Sequence, residues 1–147
     1  MALAIEILAG GRAKNAPETE LALSYLERAR DAGRPLGFAS FTLKEADERR
    51  PDAFQTDGFV IAMDERGRSI ASVEFSRLLA KWRDADETRV TFLIGGSDGL
   101  PADTKARARM TLAFGTQTWP HLLVRSMLAE QIYRAITILS GHPYHRE

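Results

Sequence analysis

The chain has 147 residues, enough for one domain with a real hydrophobic core, and its 44% apolar and 27% charged residues are those of an ordinary globular protein. It has no cysteine, which excludes disulfides and thiolate metal sites, and no stretch approaches the roughly 18 to 20 apolar residues of a membrane span. Net charge is zero but unevenly spread: Lys105 to the end carries +4, and Pro17 to Asp57 carries −3. A basic C-terminal third permits RNA contact, although solvated surface charge explains it as well. The opening MALAIEILAGG lacks the basic flank and apolar length of a signal peptide, so a cytoplasmic protein is expected.

Taken in chain order, Leu3 to Leu8 is an apolar run ending at Gly10-Gly11 and predicts a buried first strand. Pro17 suits the first turn of a helix that Gly33 ends. Leu36 to Leu43 alternates and predicts a second strand, and charged Lys44 to Asp57 predicts a short helix and a surface loop. Phe59 to Met63 predicts a third strand, followed at once by Asp64-Glu65-Arg66-Gly67-Arg68. Ser72 is placed to cap the next helix, whose Phe75, Leu78, Leu79 and Trp82 follow helical spacing. Val90 to Ile94 is a further strand broken by Gly95-Gly96. Ala102 to Ala108 predicts a helix and Thr111 to Phe114 a last strand. Pro120 opens the longest helix, which Gly141 stops near Ser140.

Strands alternating with helices predict an α/β fold, its sheet mostly parallel with helices on both faces, in one domain spanning residues 1–147. Such sheets bind ligands beyond the carboxyl ends of their strands. Three predicted strands end in unusual loops, after Met63, after Ile94 and after Phe114, and these mark the place for a site.

Gly95-Gly96-Ser97-Asp98-Gly99 puts three glycines in five positions, which fits either a tight turn or a loop that lets backbone approach a ligand. It is neither a P-loop nor a GxGxxG fingerprint. On the long helix, Leu128, Ile132, Ile136 and Leu139 share one face, and His121 and Arg125 continue that stripe at its N-terminal end. Polar residues there mean a satisfied core network or a site at the edge of the core; the neighbouring Gly115–Thr118 loop favours the site. Glu130 and Arg134 lie off the stripe, where i, i+4 pairing on a solvated face is the plain reading. The tail from His142 to Arg146 gathers imidazole, phenol and guanidinium groups, suited to stacking on an unpaired base and holding phosphates, or simply frayed. Two histidines without a third ligand make a poor metal site, so none is expected. No nucleophile–base arrangement is present for covalent catalysis.

These segments together resemble one family. Met63-Asp64-Glu65-Arg66-Gly67 with Ser72-Val73-Glu74-Phe75, the loop Phe92-Leu93-Ile94-Gly95-Gly96-Ser97-Asp98-Gly99-Leu100, and Trp119-Pro120-His121, Arg125, Glu130-Gln131-Ile132-Tyr133-Arg134-Ala135 and His142-Pro143-Tyr144-His145 match its signatures in order and spacing. The resemblance is to the RlmH family of ribosomal large-subunit pseudouridine N3-methyltransferases, in the SPOUT superfamily, and runs essentially the whole chain. It implies a SPOUT-type α/β knot, with a C-terminal trefoil knot of a kind rare among folds. It also implies a homodimer and S-adenosyl-L-methionine (SAM) as cofactor. Carried over by position, Met63, Gly95, Phe114, Gly115, Thr116, Gln117, Thr118 and Trp119 would line the cofactor pocket. The family usually has leucine where Met63 stands, Leu-Ser where Phe114-Gly115 stands, and leucine or phenylalanine where Trp119 stands.

The implied substrate is large-subunit ribosomal RNA, as naked RNA or in the assembled ribosome. The imide N3 of pseudouridine is protonated at neutral pH and must lose its proton to accept a methyl. Tyr144 or His145 is the candidate for that proton. His121, Arg125, Arg134, Tyr144, His145 and Arg146 are the candidates for substrate binding, the tail acting across the dimer. The alternatives are a SPOUT enzyme acting on another RNA and a non-catalytic RNA-binding protein.

Overall fold

The computed structural model describes residues 2–146. Strand β1 (Leu3–Gly10) buries Leu3, Ile5, Ile7 and Ala9 on one face. Helix α1 (Pro17–Gly33) and a 3-10 turn (Arg34–Leu36) return the chain to β2 (Phe38–Ala46). Then come β3 (Phe59–Ser69), α2 (Ser72–Asp84), β4 (Arg89–Ile94), α3 (Ala102–Arg107), β5 (Met110–Ala113) and α4 (His121–Ser140). All four strand pairings are parallel, in the order β2-β1-β4-β3-β5. Every strand therefore ends at the same edge of the sheet, as the alternating sequence pattern predicts.

Two layers of core sit on the two faces. Alternate residues of β1, β4 and β3 (Ile5, Phe92 and Ile61 among them) pack with Leu26 of α1, Leu79 of α2 and Ile132 and Ile136 of α4. The opposite face holds Leu93, Ala62 and Ala46 under Phe54 and Leu100. Helices were expected on both faces: α1, α2 and α4 share one, and the other is covered by the 47–57 segment and by the chain around α3, whose flanking Leu100 and Ala108 pack there. That segment forms turns with no helix, and Phe54 anchors it where a helical stripe would otherwise be needed.

Two further differences bear on the site. Strand β3 does not stop at Met63 but runs on to Ser69, with a break in register: both Met63 and Arg68 face Leu112 of β5, so residues 64–67 bulge out of the sheet. Gly67 lets the bulge lie against β5, since a Cβ there would sit 2.7 Å from the Thr111 carbonyl carbon. Ser72 does not cap α2. Ala71 occupies that position, and the Ser72 hydroxyl instead meets Gln131 Oε1 of α4 at 2.6 Å. The end of α4 is as expected, Gly141 adopting φ 76°.

Candidate active site

The loops after β4, within β3 and after β5 enclose one cleft of about 770 Å³ at the carboxyl edge of the sheet. Its apolar wall includes Met63, Ile94, Leu112, Phe114 and Val124, and its polar rim includes Asp64, Glu65, Arg66, Gln117 and Thr118. The size and the mix of apolar wall with a few polar groups are those of a small-molecule site.

Each loop is tied down. After β4, the Gly99 N–H donates to the Gly96 carbonyl at 3.0 Å, folding Gly95–Gly99 back on itself. Only glycine fits at position 95, where a Cβ would lie 2.3 Å from the Gly99 carbonyl carbon. The Gly96 N–H, in turn, donates to Glu48 Oε2 at 3.1 Å. After β5, the loop is held at three points: the Gly115 N–H donates to Ser69 Oγ at 3.1 Å, the Thr118 hydroxyl bonds Glu65, and the Trp119 indole N–H donates to the Phe114 carbonyl at 2.8 Å. Strand β3 thus supplies two of the acceptors that shape its neighbour, Glu65 from the bulge and Ser69 from beyond it.

The rim is electrostatically settled before any ligand arrives. Lys105 Nζ lies 2.7 Å from Asp64 Oδ2. Burial alone would raise the Asp64 pKa, but the Lys105 and Arg66 N–H hydrogen bonds outweigh it and leave it lowered, so Asp64 is a carboxylate at neutral pH.

Of the residues expected to line a cofactor pocket, Met63, Gly95, Phe114, Gln117, Thr118 and Trp119 come together here, with His121 from the first turn of α4. Gly115 lines a smaller adjoining cavity of about 300 Å³ with Met63, Phe114, Phe75 and Gln131. Thr116 is exposed and borders neither. Sequence reasoning missed Lys105 and Val124, and the turn residues around Ser97 and Asp98 were singled out only as part of a glycine loop. Their one signal was proximity to strand ends.

A family model described as "Predicted SPOUT methyltransferase" matches residues 3–145. The chain belongs to the SPOUT methyltransferase family. Among its relatives are proteins named "Ribosomal RNA large subunit methyltransferase H". One from Phenylobacterium zucineum is 47% identical over 152 residues, covering 97% of this chain and 99% of that one. Another, from Bradyrhizobium diazoefficiens, is 43% identical over 157 residues, covering 97% and 98%. The fold is also that of a probable methylase family protein from Haemophilus influenzae, with TM-score 0.53 at 9% identity over 99% of this chain and 70% of that one. A probable methyltransferase from Bordetella pertussis gives TM-score 0.51 at 10% identity over 92% and 95%.

In this SPOUT methyltransferase Arg125 is not at the cleft, contrary to its expected place among substrate-binding residues. It is wholly buried, and its guanidinium faces inward: Nη1 lies 2.7 Å from Glu45 Oε2 and 3.1 Å from Thr19 Oγ1, and Nη2 donates to the Gly10 carbonyl at 3.2 Å. It is a strut joining α4 to the ends of β1 and β2 and the start of α1. The physical reason is its position: one turn after His121, the stripe has already passed from the rim into the core.

The tail is docked away from the cleft. Tyr144 Oη donates to Glu130 Oε2 at 2.7 Å, its ring meets Tyr133 edge-on at 4.8 Å, and the Arg134 guanidinium lies over it. Arg134 also bonds Glu130 and reaches His145 Nδ1 at 3.1 Å. The Glu130–Arg134 pair is therefore part of a half-buried network rather than a solvated one. Burial and the Glu130 carboxylate hold the Tyr144 phenol well above its ordinary pKa. Arg146 is exposed. Among the described residues no helix is long and apolar enough to cross a membrane, and no cluster of three or more metal-ligating side chains occurs.

Proposed function

We propose that the cleft takes SAM and that the chain methylates N3 of a pseudouridine in large-subunit ribosomal RNA, in the cytoplasm, as a homodimer of one-domain subunits. The observation that carries this reading is the convergence of Met63, Gly95, Phe114, Gln117, Thr118 and Trp119 on one cleft, in a chain that aligns nearly end to end with proteins named for ribosomal RNA methylation. The residues present suit SAM. The apolar wall accommodates an adenine, the backbone groups of two tethered loops offer hydrogen bonds, and the Glu65 carboxylate favours a cation at the rim, Asp64 being already paired with Lys105. When bound, SAM supplies an electrophilic methyl on a sulfonium.

The remaining tasks fall to the protein. The target base leaves its stack to enter the cleft, where His121 and Arg66 of its lining are available to receive it. Its N3 must be aligned with the methyl and lose a proton. Tyr144, His145 and Arg146 of a second copy, with Arg134, hold the nucleotide, because the tail of the same chain lies on its own α4 and borders neither site cavity. Docked against Glu130, the Tyr144 phenol keeps its proton, so any proton handling by Tyr144 requires its release from that carboxylate; His145 carries the role otherwise. A C-terminal segment threaded as a trefoil knot belongs to the same reading and would hold the β5 loop against the β4 loop.

The test is transfer of labelled methyl from SAM to large ribosomal subunits from a strain lacking the homologous enzyme, with the nucleoside identified by mass spectrometry. The expected product is 3-methylpseudouridine. Label in another nucleoside or another RNA overturns the substrate, and absence of SAM binding overturns the cofactor. If the pair Tyr144→Phe and His145→Ala turns over normally with SAM bound, the role given to the tail is wrong.

A further inference from the structure

A second cleft lies on the same edge of the sheet, beyond the ends of β1 and β2. It has a volume of about 750 Å³, and its walls include Arg12, Lys14 and Asn15 from the loop between β1 and α1, and Glu45 and Asp47 at the end of β2. Nothing in the methyl-transfer chemistry uses it.

Its charge is less balanced than its composition. Glu45 is already held by Arg125 at 2.7 Å and by the Ala13 N–H at 2.6 Å. Asp47 is bonded by Arg49, at 2.9 Å to Nε and 3.0 Å to Nη2. Both carboxylates are therefore answered by their own cations. Arg12 and Lys14 are exposed, and among the described residues no carboxylate lies within ion-pairing distance of either. The cleft presents two exposed cations outside any close ion pair, Lys14 acting at longer range on Glu45 and Arg12 on Asp47, together with the Asn15 amide. Ala16, at the N-cap position of α1, also lines the cleft, and the first turn of that helix carries Glu18 and Glu20.

The two clefts share one ridge. Glu48 accepts the Gly96 N–H of the β4 loop, and Gly10 at the end of β1 lies beneath, where a Cβ would come 2.8 Å from both Glu48 Cδ and the Gly96 nitrogen. Neighbouring strands are about 4.8 Å apart, so the β1–β2 cleft is about 10 Å from the β4–β3 cleft, within reach of nucleotides close to one bound there.

We propose that the β1–β2 cleft is an RNA-backbone subsite, in which Arg12 and Lys14 bind phosphates of nucleotides flanking the one that enters the methyl-transfer cleft. This rests on the methyltransferase reading for its substrate, but the cleft binds phosphates whatever the reaction. Phosphate contacts of this kind fix register and orientation without reading sequence.

The test compares the wild type, Arg12→Gln/Lys14→Gln, and the control Arg77→Gln/Lys81→Gln, which makes the same charge change on exposed positions of α2. Two quantities are read: the salt dependence of binding to a short labelled single-stranded RNA, and KM for large ribosomal subunits in methyl transfer. Loss of two phosphate contacts lowers the slope of log K against log salt by about 1.4. KM rises about tenfold or more, SAM affinity holds, and the control matches wild type. An unchanged slope and KM in the double variant, or an equal loss in the control, overturns the subsite. If the wild type methylates no subunits, the enzyme reading fails, and the slope comparison still decides the cleft.

Discussion

Replacing Arg125 by methionine removes one partner of a buried ion pair and leaves the other. Glu45 is largely enclosed, its side chain 10% exposed against 0% for Arg125, and without the guanidinium its Oε2 keeps only the Ala13 N–H. Breaking such a pair from one side costs about 3–5 kcal/mol. For a chain of this size that lowers the melting temperature by about 10–15 °C. The pH dependence gives the sharper signature. In the wild type, burial pushes the Glu45 pKa up, but the hydrogen bonds from Arg125 and the Ala13 N–H, with the charges of Arg125 and Lys14, outweigh it and leave the folded value below that of an ordinary glutamate. A lowered folded pKa contributes stability that is present above the unfolded value and lost as pH falls through the folded one. In Arg125→Met the largest remaining influence is burial, which raises the pKa. The sign reverses, so the variant loses stability as pH rises above the unfolded value and its deficit narrows toward acid. Thermal unfolding followed by circular dichroism from pH 4 to pH 8, with Glu45→Gln/Arg125→Met as the closing corner of a cycle, measures this. A single variant within about 1 kcal/mol of wild type across that range would refute the strut, and Arg125 would return to the list of RNA contacts.

Three further outcomes are expected. Gly95→Ala forces a Cβ to 2.3 Å from backbone that no side-chain rotation relieves; SAM affinity by calorimetry falls at least about tenfold, roughly 1.4 kcal/mol, and unchanged affinity would mean that the turn does not shape the cofactor wall. Trp119→Phe keeps an aromatic surface but removes the indole N–H that holds the Phe114 carbonyl; a net hydrogen bond of about 1 kcal/mol predicts roughly fivefold weaker SAM binding, and equal affinity would discard the tether. Glu130→Gln leaves Arg134 and Tyr144 without their carboxylate. Methyl transfer falls while SAM affinity holds, and a parallel loss of both would place Glu130 in the scaffold rather than behind the tail.

The fold was largely legible because its signals are local. Five apolar runs, most of them separated by helical periods, predict a parallel α/β sheet, and Pro17 and Gly141 mark helix ends by backbone constraints that act within one turn. Where reading failed, a distant partner decides. The β3 strand continues past Met63 because Arg68 and Ser69 pair with Leu112 and Ala113 some 40 residues on, although Asp64-Glu65-Arg66-Gly67 reads as a turn. The 47–57 segment needs no helix because Phe54, with Ala53 beside it, anchors it over Ala62 and Leu93. Ser72 has the chemistry of a cap, but Gln131 of α4 competes successfully for its hydroxyl.

The site divides along the same line. Glycine at 95 and the strand ends announce the cleft, because close backbone approach and ligand position both follow from local chain geometry. His121 and Arg125, by contrast, are equivalent in the sequence: two polar residues on one helical stripe, four residues apart. What separates them is whether an acceptor waits opposite, and for Arg125 the acceptors are Thr19, Glu45 and the Gly10 carbonyl, 80 to 115 residues away. A helical stripe reports that a residue points inward; only the far side of the core reports whether it arrives at a cleft or at a carboxylate. That same carboxylate, paired at 2.7 Å with Arg125, forms no close ion pair with Lys14 at the second cleft, which is why the Arg125 strut and the proposed phosphate subsite have to be tested separately.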